Sequence, residues 1–195
     1  MIKLIFVTHN PNKVKEIKAM TAINAEILTL DQIGCMEEIE ETEKTLEANA
    51  LLKARYVHSK FGLNCFADDT GLEVKALGGL PGVFSARYAG TGKNDNDNID
   101  KLLQELKDSH DRTARFRTVL SIILDGEEML FEGIVEGTIT TERKGMGGFG
   151  YDPVFIPEGY NKTFAELPLS EKNVISHRYK AFKMLADYLM SLNYL

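Results

Sequence analysis

The sequence predicts an α/β protein with a mixed β-sheet and a cleft. Three observations lead to this fold class: a strand, a tight turn and a helix open the chain, two long β-rich runs follow in its second half, and an amphipathic helix closes it. This order favours a mixed sheet over a regular doubly wound one. The length of 195 residues and the apolar fraction of 44% fit one large domain or two small lobes with a sizeable core.

The first elements are a strand and two helices. A buried strand is predicted over residues 2–8, which are rich in β-branched and aromatic side chains. Asn10-Pro11 marks the turn into a helix over NKVKEIKAM, since proline is favoured at the first helical position. The next helix is predicted to begin after Thr45, a good N-cap residue, and to end at Gly62. Apolar residues recur along it at helical spacing: Leu46, Ala50, Ala54 and Val57.

The middle of the chain is predicted to hold two strands, a loop and a helix. The strands are NCFADD and GLEVKAL. Residues 78–98 are rich in glycine and polar side chains, which is typical of an active-site or binding loop. The acidic patch at 95–100 is predicted to begin a helix that continues through IDKLLQELKD.

The second half is predicted to form a long hairpin and a closing helix. Two β-rich runs, residues 114–126 and 127–140, are joined by Asp125-Gly126, a strong hairpin signal. From Ser176 the chain is predicted to form an amphipathic helix packed by one face. Its apolar residues recur at spacings of four and three: Ile175, Tyr179, Phe182, Ala186 and Leu189.

The charge distribution excludes several classes of partner. The formal net charge is −6 and no long basic run is present, which argues against binding to duplex nucleic acid or to an anionic membrane. No apolar run is long enough for a transmembrane helix, and the N-terminal apolar segment is too short for a signal peptide, so a cytoplasmic location is expected. Cys35 and Cys65 lack CxxC spacing and are interpreted as free thiols in a reducing compartment.

Two motifs in the first half combine charge with a defined backbone position. THNPNK, residues 8–13, places a lysine at a strand-to-helix junction, where backbone N–H groups and the helix dipole favour an anion. An ordinary helix cap with a solvated lysine is the alternative. In EETEKTLEANALLKA, Asn49 and Lys53 share a helix face that could point into a cleft with Glu41. A lysine on a solvated face explains this second motif equally well.

ADDTGL, residues 67–72, places Asp68 and Asp69 at the end of an apolar strand. Because neighbours in a strand point to opposite sides, only one of them is expected to face a given site, and the other to bind backbone or solvent. A carboxylate here and a distant glutamate suit Mg²⁺, which takes one or two protein carboxylates together with phosphate oxygens. The alternative is an Asx-type turn.

The most unusual stretch is GMGGFGYDPVF, which has four glycines within residues 145–150. Missing side chains leave the backbone open to a ligand, so Phe149 becomes a candidate stacking face. Further along, KNVISHR places His177 and Arg178 at a helix start, where both can donate hydrogen bonds to a ligand. A structural histidine is the alternative.

Taken in order, six motifs that cover nearly the whole chain closely resemble those of the inosine/xanthosine triphosphate pyrophosphatase family: THNPNK, EETEKTLEANALLKA, ADDTGL, LPGVFSARYAG, GGFGYDPVF and EKNVISHR. The resemblance implies Mg²⁺-dependent hydrolysis of ITP, dITP, XTP and dXTP to the monophosphate and pyrophosphate. It also implies a homodimer and one domain over residues 1–195. The implied fold is an elongated mixed β-sheet flanked by helices, with two lobes around a central nucleotide-binding cleft.

The resemblance also implies a role for each matching residue. The metal ligands are Glu41 and Asp69, and Asp69 is the catalytic residue that activates water. The triphosphate contacts are Thr8, His9, Asn10, Pro11, Asn12, Lys13 and Lys53. The remaining substrate contacts are Thr70 and a base pocket made of Phe149, Gly150, Tyr151, Asp152, Lys172, His177 and Arg178. In that pocket His177 and Arg178 donate to the 6-oxo group, and adenine is rejected because it presents a donor there.

The chain departs from the family pattern at two positions. His9 replaces the glycine of TGN, and Glu43 replaces the glycine that follows glutamate and threonine in the second motif. Because neither change removes a proposed ligand, we expect an altered rate or metal dependence, with activity retained. Competing hypotheses are a nucleotide pyrophosphatase with another base preference, a non-catalytic nucleotide sensor, and a structural protein that binds partners through its acidic face.

Overall fold

The computed structural model describes residues 2–20 and 25–192 and confirms the α/β class. Its strands are β1 (Lys3–Phe6), β2 (Glu26–Thr29), β3 (Cys65–Val74), β4 (Pro81–Gly82), β5 (Thr113–Leu124), β6 (Glu127–Ile139) and β7 (Phe155–Pro157). Its helices are α1 (Pro11–Ala19), α2 (Leu46–Phe61), α3 (Asp95–Glu105), α4 (Leu169–Ile175) and α5 (His177–Ser191). The strands form one mixed sheet in the order β2-β1-β3-β5-β6-β7, and β4 pairs with β3.

The chain divides into two compact units. The first unit comprises Met1–Asp69, Thr118–Gly133 and Arg178–Leu195. The second unit comprises Thr70–Arg117 and Ile134–His177. The boundary after Asp69 falls inside β3, so the carboxylates of the ADDTGL motif belong to the first unit.

Strand β1 of the first unit lies between two parallel neighbours. β1 runs parallel to β2, with Lys3 opposite Glu26, and parallel to β3, with Ile5 opposite Cys65. The rings of Phe6 and Phe66 stack with centroids 4.6 Å apart inside its core. Parallel strands are buried on both faces, which explains why β1 is an almost continuous apolar run.

Helix α2 confirms the predicted caps and the predicted face. Thr45 accepts a hydrogen bond from the backbone N–H of Ala48, and Gly62 ends the helix with φ +66°. Leu46, Ala50, Ala54 and Val57 are all buried. Helix α5 likewise buries Phe182, Ala186 and Leu189 of its predicted face, and Leu185, which was not predicted, is buried beside them.

The second unit has antiparallel strands and its own core. β4 pairs with β3, and β7 pairs with β6, both antiparallel. Its core packs Phe116 against Phe155, with ring centroids 4.7 Å apart. Helix α3 begins after Asn94, which accepts hydrogen bonds from the backbone amides of Asn96 and Asp97. This confirms the helix predicted from the acidic patch.

The hairpin prediction is also confirmed, while one strand prediction is wrong. Asp125 and Gly126 form the two-residue turn between β5 and β6, with φ of +52° and +90°. NCFADD and GLEVKAL are one continuous strand, β3, because Thr70 and Gly71 remain in the ladder and no turn separates the two runs. Both cysteines are free and buried. No helix in the described part of the chain is long and apolar enough to cross a membrane.

Candidate active site

The two aspartates of β3 have different partners in the first unit. Asp68 is buried, and its carboxylate accepts from Lys13 Nζ at 3.0 Å and from Arg178 Nε at 3.1 Å. Asp69 is also buried, and its carboxylate accepts from Asn49 Nδ2 at 3.1 Å and lies 3.6 Å from Lys53 Nζ. Strand alternation therefore gives the two carboxylates different partners, although both lie in one buried cluster with Lys13 and Lys53.

These surroundings shift the pKa values of the two carboxyls in opposite directions. Burial alone would raise the pKa of Asp68, but Lys13, Arg178 and Lys53 together hold it well below its usual value. Burial raises the pKa of Asp69, and the nearby Glu41 raises it further against the opposing effect of Lys53. Asp69 is thus the stronger base of the pair.

Helix α2 presents the charged face that the sequence predicted. Lys53 is buried, and its Nζ donates to Glu41 Oε1 at 2.5 Å and to the Asp68 carbonyl at 2.7 Å. Burial lowers the pKa of Lys53, but Asp69 and Glu41 raise it above its ordinary value overall. The ammonium therefore remains charged between two carboxylates, which excludes the alternative of a lysine on a solvated face.

The THNPNK turn combines features of both interpretations offered for it. Asn10 Oδ1 accepts from the backbone amides of Asn12 at 2.9 Å and Lys13 at 3.4 Å, so Asn10 is an ordinary N-cap. The Lys13 side chain is only 14% exposed and is held by Asp68, so it is not a solvated lysine. His9 replaces the glycine of the family pattern, and its Nε2 lies 3.0 Å from the backbone carbonyl oxygen of Glu37 in a neighbouring loop.

Arg178 lies in this carboxylate cluster. It is 1% exposed and pairs with Asp68 and with Glu16 of α1. Burial lowers its pKa, but Asp68 and Glu16 outweigh that effect and raise it. The hydrogen bond from Arg178 to a purine 6-oxo group stays a prediction. The Arg178 side chain already pairs with two buried carboxylates.

Glu41 and Asp69 suit a hard divalent cation. Both offer carboxylate oxygens to one ammonium, Lys53 Nζ, so they converge on a position that favours positive charge. Mg²⁺ binds through one or two carboxylates and keeps several waters, so this donor set fits it. Among the described residues, no group of three or more His, Cys, Asp or Glu side chains is arranged to hold a metal ion.

A second polar cluster lies in the second unit, around Asp152. This buried carboxylate accepts from the backbone N–H of Phe149 at 2.9 Å and from Lys172 Nζ at 2.5 Å. Lys172 Nζ also lies 5.0 Å from the centroid of the Phe149 ring and 5.6 Å from that of Phe164. The cluster thus brings together three of the residues predicted to form the base pocket.

The glycines of this loop serve the protein's own packing more than the sequence suggested. A Cβ at Gly148 would lie 2.0 Å from Asp152 Oδ2, and one at Gly145 or Gly147 would meet the backbone of Ala165 within 3 Å. The interpretation that all four glycines bare the backbone for a ligand is therefore wrong for these three. Gly150, at φ +59°, has no atom within 4 Å of a Cβ position.

The remaining predicted residues of the second unit are largely enclosed. Tyr151 is buried and donates its hydroxyl to the Ser85 carbonyl at 2.9 Å. His177 is buried, and its ring stacks on Phe116 with centroids 4.6 Å apart. Thr70 is half-buried in β3. His177 and Tyr151 therefore have structural roles within the second unit, and their contact with substrate stays a prediction.

Comparison with known protein families matches residues 4–188 to the model of the Ham1 family. The chain belongs to the Ham1 family. Its relatives include proteins named dITP/XTP pyrophosphatase from Christiangramia forsetii, 55% identical over 96% of this chain and 99% of the relative, and from Bacillus subtilis, 49% identical over 97% and 98%. The solved Ham1 protein of Staphylococcus aureus has a TM-score of 0.88 at 37% identity and covers 97% of this chain and 99% of that one.

Within this Ham1 protein, sequence reasoning assigned no role to three residues that the structure places in the two clusters. Glu16 follows Lys13 by one helical turn, a spacing that could have revealed it. Asn49, recognised only for sharing a face with Lys53, positions Asp69 and also accepts from the backbone N–H of Glu43 at 2.9 Å. Asp95 accepts from the backbone N–H of Gly150, a contact between distant residues that no local pattern signals.

Proposed function

We propose that this protein hydrolyses non-standard purine nucleoside triphosphates, ITP, dITP, XTP and dXTP, to the monophosphate and pyrophosphate. Its relatives are named dITP/XTP pyrophosphatase, and this name supplies the substrate class. The observation that carries the proposal is the buried cluster in which Lys13 and Lys53 meet Glu41, Asp68 and Asp69. Such fixed cations suit a reaction that develops negative charge on phosphate oxygens.

In this proposal the two aspartates have separate tasks. Asp69 accepts the proton of the attacking water, because both carboxylate oxygens of Asp68 already accept from Lys13 and Arg178, whereas Asp69 is oriented by an amide donor, Asn49. Asp68 holds Lys13 and Arg178 in place and stays ionised. Lys13 and Lys53 bind the phosphate tail, and the THNPNK turn orients it through its remaining polar atoms.

Mg²⁺ is part of the proposal. Glu41 and Asp69 would hold it, and when bound it would neutralise charge on the phosphate oxygens. Asn49 supports this arrangement by donating to one Asp69 oxygen, which holds the carboxylate in its orientation.

We also propose that the second cluster recognises the base. Phe149 offers an aromatic face for stacking. Asp152 accepts from the backbone N–H of Phe149, and Lys172, which pairs with Asp152, lies over the Phe149 ring. In this proposal His177 and Arg178 donate hydrogen bonds to the 6-oxo group of the base. Adenine is rejected because it carries an amino group at that position, which is itself a donor and cannot accept these hydrogen bonds. The proposal further includes a homodimer, a cytoplasmic location and no binding to nucleic acid or membrane.

A parallel assay tests the proposal. Purified protein with Mg²⁺ is given ITP, XTP, GTP or ATP, and the released pyrophosphate and orthophosphate are measured separately. We expect pyrophosphate from ITP and XTP and little product from ATP or GTP. Orthophosphate as the product would move the cleavage to the terminal phosphate, and binding without any product would favour the nucleotide sensor.

A further inference from the structure

Two carboxylates hold the backbone on both sides of Phe149 in the second unit. The N–H of Phe149 donates to Asp152 Oδ2 at 2.9 Å, and the N–H of Gly150 donates to Asp95 Oδ2 at 2.7 Å. These two amides flank the Cα atom of Phe149. The direction of its side chain therefore depends on both acceptors, and Asp95 comes from a different part of the chain.

Helix α3, which carries Asp95, is itself fixed to the segment that leads into the glycine loop. Arg143 Nη2 donates to the carbonyl of Asn96 at 2.8 Å, and Arg143 Nη1 lies 2.8 Å from Asp100 Oδ1. Asn94 caps the same helix and holds its first turn. The Asp95 carboxylate is thus presented to Gly150 from a defined position, although it is exposed to solvent.

Gly150 needs such a contact because its own conformation provides little restraint. Its φ is +59° and no atom lies within 4 Å of a Cβ position, so packing does not restrain this residue there. Glycine loses more conformational freedom on ordering than any other residue. A charged acceptor on its N–H is a strong hydrogen-bonding partner and opposes that loss.

From these contacts we propose that Asp95 is a positioning residue for base recognition, which acts by holding Gly150 so that the Phe149 ring keeps its stacking orientation. The proposal rests on the proposed function. Asp95 touches neither the phosphates nor the water in this scheme. Its loss should therefore weaken binding of the base equally before and during the reaction, which raises KM and leaves kcat nearly unchanged.

The first experiment compares Asp95→Ala and Asp95→Asn with the matched control Asp97→Ala. Asp97 is exposed and carries the same charge in the same first helical turn, so both alanine variants lose the same interaction with the helix dipole. For ITP we expect Asp95→Ala to raise KM by about tenfold, the equivalent of one lost aromatic contact, with kcat within about twofold. Asp95→Asn retains an acceptor oxygen and should recover most of the loss, and Asp97→Ala should match the wild type.

The second experiment reads the ring position without any substrate. The sequence contains no tryptophan, so Phe149→Trp places a single fluorescent reporter in the loop. In that background Asp95→Ala should lower the fluorescence anisotropy of the indole, and Asp97→Ala should leave it unchanged.

The two readouts separate this inference from the proposed function. If the wild type hydrolyses ITP but Asp95→Ala equals Asp97→Ala in KM or in anisotropy, Asp95 does not position Phe149 and the inference is overturned. If the wild type hydrolyses no nucleoside triphosphate, the proposed function fails, and the anisotropy alone decides whether Asp95 fixes the loop.

Discussion

At the scale of single residues, the first unit shows how environment separates two identical side chains. Asp68 and Asp69 are neighbours, and both are buried. Asp68 faces two strongly bound cations, whereas Asp69 receives an amide donor and lies near another carboxylate. One is therefore suited to hold charge and the other to take a proton.

We predict that Asp69→Asn lowers kcat for ITP by about 100-fold to 10,000-fold, the usual contribution of a general base. The amide can still accept the hydrogen bond of Asn49, so nucleotide binding should persist in calorimetric titration. Asp108→Asn removes an exposed carboxylate of the same size and serves as the control. Unchanged turnover in Asp69→Asn would assign the proton acceptor elsewhere.

Arg178→Ala should reduce the free energy of unfolding by about 3–5 kcal/mol, since it removes a buried cation that pairs with two buried carboxylates, Glu16 and Asp68. Arg55→Ala is the matched control, because its pair with Glu128 is exposed and should contribute at most about 1 kcal/mol. Urea unfolding of both variants measures the difference.

The same Arg178→Ala protein tests whether Arg178 recognises the base. We expect its ratio of kcat/KM for ITP to kcat/KM for ATP to fall below that of the wild type. An unaltered ratio would mean that another residue recognises the 6-oxo group.

Neither cysteine is expected to react in the folded protein. Burial raises the pKa of the Cys65 thiol to about 12, and burial together with Glu37 raises the pKa of Cys35. A raised pKa leaves almost no thiolate near pH 8, and the thiolate is the reactive form. Iodoacetamide should therefore label neither residue in native protein and both in urea, as mass spectrometry would show. Rapid labelling of the native protein would contradict the buried position of both.

At the scale of elements, those with local signals were predicted well. The caps Thr45 and Gly62 and the apolar spacing gave helix α2 from the sequence alone, and Asp125-Gly126 gave the hairpin. β2, β7 and α4 were not predicted, because each is short and depends on tertiary partners; β7, for example, is three residues paired to β6. The formation of a short strand or helix depends less on its own sequence pattern than on the neighbouring elements that it pairs with or packs against.

The glycine loop leads to a prediction at this scale. Gly148→Ala places a Cβ against the carboxylate of Asp152, which should displace Asp152 from Lys172 and raise KM for ITP by about tenfold or more. Gly159→Ala is the matched control, because its φ of +82° imposes similar backbone strain with open space around the Cβ. Equal KM values for the two variants would show that steric contact at Gly148 is unimportant for substrate binding.

At the scale of the whole molecule, long-range ion pairs mark the limit of sequence reasoning. Glu16 and Arg178 are far apart in sequence and meet only in the folded first unit. Charge patterns along one helix or strand cannot reveal such a pair. The sequence therefore predicted only a contact between Arg178 and the purine base. The motifs in order nevertheless identified the family. The fold also brings Lys13, Glu41, Lys53 and Asp69, four residues to which the resemblance gave a role, into one buried cluster with Asp68.

In the proposed mechanism, water that Asp69 activates attacks the phosphorus nearest the nucleoside. Hydrolysis of ITP with Mg²⁺ in water enriched in oxygen-18, followed by mass spectrometry of both products, tests this step. We expect the label to enter the monophosphate and the pyrophosphate to remain unlabelled. Label in pyrophosphate, or release of labelled orthophosphate, would contradict this mechanism.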